Sequence, residues 1–159
     1  MEVTQTKLDG VLLVKPPTVF EDFRGTYVEL YNEELYKATG INVHFLQDDI
    51  SMSSQHVLRG IHGDAETWKL VSCLHGKFYL VVINWDEKSQ QYRQWESFTL
   101  SEQNRLQVLI PPKFGNGHVV SGTNSRTGNI SPCTPANIWR SDKNFIPYCL
   151  NYIGLLNGF

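Results

Sequence analysis

The chain has 159 residues, of which 41% are hydrophobic and 19% charged, enough apolar content for a core and too much for a disordered segment. Its 14 Lys and Arg against 16 Asp and Glu leave a net charge of -2. Bulk charge therefore draws no nucleic acid or anionic membrane, and any anion site must be local. The apolar runs are too short to cross a bilayer. The opening Met-Glu-Val-Thr-Gln has neither a basic n-region nor an apolar h-region, so a cytoplasmic protein is expected.

Leu8 to Val14 reads as the first strand, stopped by Pro16-Pro17. Glu21-Asp-Phe-Arg-Gly25 reads as a turn, and Tyr27 to Tyr31 alternates as a strand. Asn32 to Thr39, closed by Gly40, is the one segment with helical character. Val43 to Leu46 follows as a strand, and Gln47, Asp49 and Ser51 then form a polar row at period 2. Val57 to Gly63 is β-prone. Lys69 to Leu74 and Lys77 to Trp85 flank His75-Gly76 as a hairpin, with Tyr79 to Ile83 apolar enough for a central strand. Tyr92 to Leu100 and Gln107 to Ile110 are further strands, and Phe114-Gly-Asn-Gly-His118 reads as a glycine-rich bend into Val119-Val120. Short strands at regular spacing with little helix predict an all-β sandwich or barrel. No repeat or linker divides it, so one domain over residues 1–159 is expected, with 122–159 as an atypical tail.

The chemistry concentrates in Val57-Leu-Arg-Gly-Ile-His-Gly-Asp64 and Trp68-Lys69. At period 2, Leu58, Gly60 and His62 share one face and Arg59 and Ile61 the other. A strand histidine with two cations near it suits proton transfer on an anionic substrate. From the octet alone, a histidine satisfied in a core fits equally well. The five histidines contain no His-x-His pair. A metal site of His62, Asp64 and His118 lacks a fourth ligand, so no metal is expected. Cys73, Cys133 and Cys149 show no metal spacing, and an odd count fits a reducing compartment.

Several pieces occur in one order over about residues 8 to 120: Asp22-Phe-Arg-Gly25 with Glu29, Gln47 with Ser51, Arg59-Gly-Ile-His62, Lys69-Leu-Val71, Leu100-Ser-Glu-Gln-Asn104, and Ile110-Pro-Pro-Lys-Phe-Gly-Asn-Gly-His118. Together they resemble the dTDP-4-dehydrorhamnose 3,5-epimerase family. The resemblance implies a cupin-type jelly roll, a homodimer, no metal or other cofactor, and a nucleotide-diphosphate 4-keto sugar as substrate. It implies epimerisation at C3 and/or C5 in deoxysugar and surface polysaccharide synthesis, such as O-antigen or capsule. It makes His62 the base and Lys69 the cation near the keto oxygen. Arg24 and Arg59 become arginines that hold the diphosphate, and Glu29, Gln47 and His118 substrate contacts. Gly63-Asp64 after the histidine and Gly115-Asn116 before His118 resemble the branch acting on other nucleotide-linked 4-keto sugars, which includes GDP-linked heptoses.

The match ends near Val120. The family's general acid is a tyrosine in a Tyr-Lys strand near position 133, where this chain reads Ser131-Pro-Cys-Thr-Pro135. A later Trp-Asn-Asp-Pro segment supplies the aspartate that orients the histidine, and Trp139-Arg-Ser-Asp142 echoes it. Asp142 is thus a candidate orienter and Tyr148 a candidate acid, with no strand alternation expected between 122 and about Tyr148. The alternatives are a catalytically impaired nucleotide-sugar-binding homologue, a 3,4-ketoisomerase, and a metal-dependent cupin enzyme.

Overall fold

The computed structural model describes residues 1–16, 19–54, 56–120 and 136–142. In chain order the elements are β1 (Glu2–Gln5), β2 (Leu12–Lys15), β3 (Val19–Asp22), β4 (Gly25–Val28), α1 (Glu33–Ala38), β5 (Gln47–Met52), β6 (Leu58–His62), β7 (Lys69–His75), β8 (Lys77–Asn84), β9 (Trp95–Ser101), β10 (Gln107–Ile110), β11 (Phe114–Val120) and β12 (Ala136–Ser141). A six-stranded sheet runs β1-β2-β10-β7-β12-β5, a four-stranded sheet runs β6-β11-β8-β9, and β3 pairs only with β4. The paired strands are antiparallel throughout, and the all-β expectation holds. Among the described residues no helix is long and apolar enough to cross a membrane.

The two sheets close on Val71, Phe78, Leu80, Val82, Leu100, Val108, Ile110, Phe114 and Val120. Fully burying such a side chain stabilises by roughly 1.5–3 kcal/mol. The outer face of the six-stranded sheet is covered instead by α1. Tyr36 packs there with Ile41, Val43, Val14, Leu70 and Leu109. Its hydroxyl donates to Gln107 Oε1, and Gln107 Nε2 donates to the Leu30 carbonyl at 2.8 Å. The helix starts where the sequence placed it. Asn32 Oδ1 accepts the Leu35 N–H at 3.3 Å, and Glu33, Glu34 and Lys37 sit at the ends their charges favour.

Several sequence expectations are corrected. The strand expected from Leu8 starts at Leu12 and is the second, preceded by β1, because Leu8 caps the core from a turn in which Val11 N–H bonds the Leu8 carbonyl at 3.1 Å. Val43 belongs to the layer around α1, and the strand begins at Gln47. His75-Gly76 turns a corner between sheets rather than closing a hairpin: β7 pairs with β10 and β12, while β8 pairs with β9 and β11. The supposed bend at 114–118 is the first part of β11, buried throughout. The tail, expected to lack alternation until Tyr148, contributes β12 as an interior strand between β5 and β7.

The backbone of β6 lies close against β11. A Cβ on Gly60 would lie 2.4 Å from Gly117 Cα, and Gly60 holds φ +125°. Gly25 has a similar φ of +121° but nothing within 4 Å. Gly60→Ala should therefore cost at least as much as a large core truncation, about 3 kcal/mol or more, and Gly25→Ala only backbone strain of about 1–2 kcal/mol. Denaturant midpoints measure the difference, and equal losses would contradict the close β6–β11 approach.

Candidate active site

The site starts from that contact. Arg59 pairs with His118 and His62 with Asn116. Three steps on β6 therefore span two on β11, so β6 carries one extra residue. A bulge of this kind shifts the alternation and re-aims side chains. Arg59 and His62 are both half-buried, whereas Leu58, Gly60 and Ile61 are exposed. Strict period 2 had put Arg59 and His62 on opposite faces, and the bulge corrects this by turning both inward. Arg59 Nε donates to Ser53 Oγ at 2.7 Å, which holds the guanidinium near the base of β5.

Lys69 opens β7 and is 2% exposed. Its Nζ lies 3.4 Å from Asn116 Oδ1 and 4.0 Å from Asp64 Oδ2. Burial pulls the ammonium pKa down, against the pull of the Asp64 carboxylate. Asp64 is anchored by its own loop, Oδ1 accepting the N–H groups of Glu66 and Thr67 at 2.8 and 2.6 Å. Burial lowers the His62 imidazole to about 4, helped by the charges of Lys69 and Arg59. His118 is also lowered to about 4, by burial first and then by His62 and Arg59. Both imidazoles are therefore neutral at physiological pH.

Rings, not hydrogen bonds, surround His118. Neither ring nitrogen has a hydrogen-bond partner among the described residues, and the ring stands edge-on to Phe78 at 5.4 Å and tilted on Trp139 at 5.4 Å. Trp139 also lies 6.0 Å from His62. Sequence reasoning missed this residue's place. Once β12 is in the sheet, its alternation would have pointed Trp139 inward beside Val71 and Asp49, its register partners.

The remaining candidates divide. Gln47, Asp49 and Ser51 do share the half-buried face of β5, with Gln47 Nε2 donating to Asp49 Oδ2 at 2.7 Å. Gln47 shares a register row with Ser141 and Lys69. Thus His62, Lys69, Arg59 and His118 come within electrostatic reach of one another, with Gln47 in the register row of Lys69. Arg24 does not join them: it sits on the β3–β4 hairpin, 76% exposed, with Asp22 at 2.6 Å. Glu29 accepts from Asn32 Nδ2 at 3.3 Å at the entry to α1. Asp142 does not reach toward His62. Its Oδ1 accepts the Trp68 N–H at 2.9 Å, tying the end of β12 to the start of β7. Tyr148, Cys133 and Cys149 lie outside the described residues, and Cys73 is buried. Among the described residues no three His, Cys, Asp or Glu converge as a metal site.

The profile of the dTDP-4-dehydrorhamnose 3,5-epimerase family matches residues 5–134. The chain belongs to this family. An epimerase of that name from Methanothermobacter thermautotrophicus is 36% identical over 115 residues, 71% of this chain and 62% of the relative. The Escherichia coli K12 enzyme is 36% identical over 124 residues, 76% of this chain and 66% of the relative. The chain thus spans slightly under two thirds of these relatives' length. The crystal structure of the Elizabethkingia anophelis epimerase superposes with TM-score 0.73 at 35% identity, covering 94% of this chain and 78% of that one. A Legionella pneumophila epimerase, solved with dTDP-4-keto-L-rhamnose, superposes with TM-score 0.80 at 27% identity over 92% and 73% of the two chains. The fold is accordingly the cupin-type jelly roll expected of an epimerase in this family.

The buried histidines give this epimerase-family chain an acid-sensitive stability. Protonation of His62 and His118 is harder in the folded chain than at the ordinary value of 6.5. The unfolded chain then binds more protons between pH 6.5 and about 4, and stability present above that window is lost as pH falls through it. Urea midpoints measured across the window should fall, with a shallower slope in His62→Asn. Identical slopes would show that His62 does not titrate as buried.

Proposed function

We propose that the chain is a nucleotide-sugar epimerase acting at C3 and/or C5 of a nucleotide-linked 4-keto-6-deoxy sugar, in deoxysugar and surface polysaccharide synthesis. The observation that carries this reading is a neutral, half-buried His62 turned into the same space as buried Lys69 and as Arg59. The C–H bonds beside a C4 ketone are acidic because the ketone can hold the resulting charge as an enolate. In this reading His62 takes the proton on one face, and Lys69 faces the developing O4 oxyanion, where a fixed cation in a dry site acts strongly. Arg59 meets the diphosphate, since guanidinium pairs with phosphate oxygens bidentately. Gln47 and His118 shape the sugar pocket, and Arg24 and Glu29 belong to its rim.

A base with a pKa of about 4 is unprotonated at neutral pH but weak. The substrate itself supplies a correction. Its diphosphate brings negative charge toward Arg59 and Lys69, cancelling part of the field that depresses the imidazole, so the base strengthens when it is needed.

The assembly is proposed as a homodimer in the cytoplasm, one domain per chain. Exposed Phe20, Phe23 and Tyr27 on the β3–β4 hairpin, and Ile50 and Met52 on edge strand β5, suit cover by a second copy. A second reading, a nucleotide-sugar-binding homologue with impaired turnover, is favoured by one observation. The β12 side chain lying against His62 is the indole of Trp139, which has no proton to give at neutral pH.

Solvent exchange decides between them. The protein is incubated in D2O with dTDP- and GDP-linked 4-keto-6-deoxy sugars, and the C3 and C5 protons are followed by NMR. Exchange with inverted product is expected, falling by about 10²–10⁴ in His62→Asn. Exchange that persists in the variant would overturn His62 as base. Exchange without inversion would select the impaired homologue, and migration of the keto group from C4 to C3 would identify a ketoisomerase. No exchange with either nucleotide, in folded protein, would end the epimerase reading.

A further inference from the structure

The proton transfer proposed above makes no use of Trp139, yet its ring lies tilted against both histidines. Trp139 sits in mid-strand on β12, with Asp49 of β5 on one side and Val71 of β7 on the other. Its ring centroid is 6.0 Å from His62 at an interplanar angle of 59° and 5.4 Å from His118 at 40°. Phe78 meets His118 edge-on at 5.4 Å. The six-stranded sheet thus reaches across the barrel at one point to cover two imidazoles carried by the four-stranded sheet. His62 ends its strand, where an uncovered ring would be open to water.

We propose that Trp139 is a positioning residue for the proton-transfer step: its indole shields His62 from water, holding the imidazole both oriented and neutral. The proposal rests on the reading of His62 as the base. Other groups act on the same ring and must be separated from the indole. Arg59 faces it from β6 and Lys69 from β7, both opposing its protonation. His118 and Asn116 face it from β11. Asp64 lies in the loop after β6, 4.0 Å from Lys69, and Asp49 stands beside the indole on β5. Replacing Trp139 leaves all these charges in place, so a change in His62 titration isolates the cover. An indole that merely fills the core would alter stability without moving that titration.

The test compares native protein with Trp139→Phe and Trp139→Ala, each checked for fold by circular dichroism. His62 is titrated by its ring NMR signals, assigned by their absence in His62→Asn, and C–H exchange in D2O is measured against pH. Native exchange is expected to stay flat down to about pH 5, given a His62 value of about 4. In Trp139→Ala the His62 midpoint should climb toward the ordinary value of 6.5. At that limit only about a quarter of the imidazole is neutral at pH 6, so exchange there falls about fourfold relative to pH 8. Trp139→Phe, which keeps a flat apolar cover, should stay near native. A folded Trp139→Ala with an unmoved midpoint would overturn the proposal, as would a Phe variant that shifts as far as the Ala one. Should Trp139→Ala fail to fold, Trp139→Leu, which thins the cover but keeps apolar bulk, is held to the same criterion. Failure of the base assignment reads out separately: His62→Asn would then keep its exchange while the Trp139 variants still report on the cover.

Discussion

The structure depends on how closely β6 lies against β11. Gly60 and Gly117 approach nearer than any side chain allows, since a Cβ on Gly60 would stand 2.4 Å from Gly117 Cα. That approach accommodates one extra residue in β6 and turns Arg59 and His62 to the same side. A regular strand with the same sequence would point one of them at solvent. The bulge is therefore what brings a guanidinium and an imidazole to one side, and the glycines are what permit the bulge.

The electrostatics follow from that placement. Arg59, buried Lys69 and two neutral histidines share a space walled by Phe78 and Trp139. Burying cations is costly unless something answers them. Asp64 answers Lys69 at 4.0 Å, and Asn116 Oδ1 at 3.4 Å. On the proposed function, an incoming diphosphate and a polarised ketone add negative charge near Arg59 and Lys69. On that proposal, binding links affinity, base strength and stability through the same few groups.

Much of this was legible in the sequence because it was local. Asn32, the paired acids and Gly40 delimit α1, and the polar row Gln47-Asp49-Ser51 does share a face of β5. The order of short motifs around His62, Lys69 and His118 identified the family. What escaped was non-local. Period-2 reading cannot see that β6 has one residue more than its partner, so Arg59 was put on the wrong face. His75-Gly76 looks like a hairpin turn whether its strands pair or part, and only the burial of β7 on both faces separates the cases. Ala136 to Ser141 carries few apolar residues, and its strand character comes from being clamped between β5 and β7. Trp139 was accordingly read as a faint echo of a distant segment, when its place against the histidines is set by sheet register. Asp142 shows the same limit, since its partner is the Trp68 amide, a contact with no signature in sequence.

The central claim is that an anion held near Arg59 and Lys69 tunes His62. The most direct measurement is the NMR titration of the His62 ring in the free protein and in the presence of saturating dTDP or GDP. The account predicts a midpoint of about 4 in the free protein and a clear rise when a nucleoside diphosphate is bound, with tighter nucleotide binding as pH falls through the same range. A midpoint that does not move when the nucleotide binds would contradict it, because the diphosphate would then lie outside the field of the group it is meant to activate.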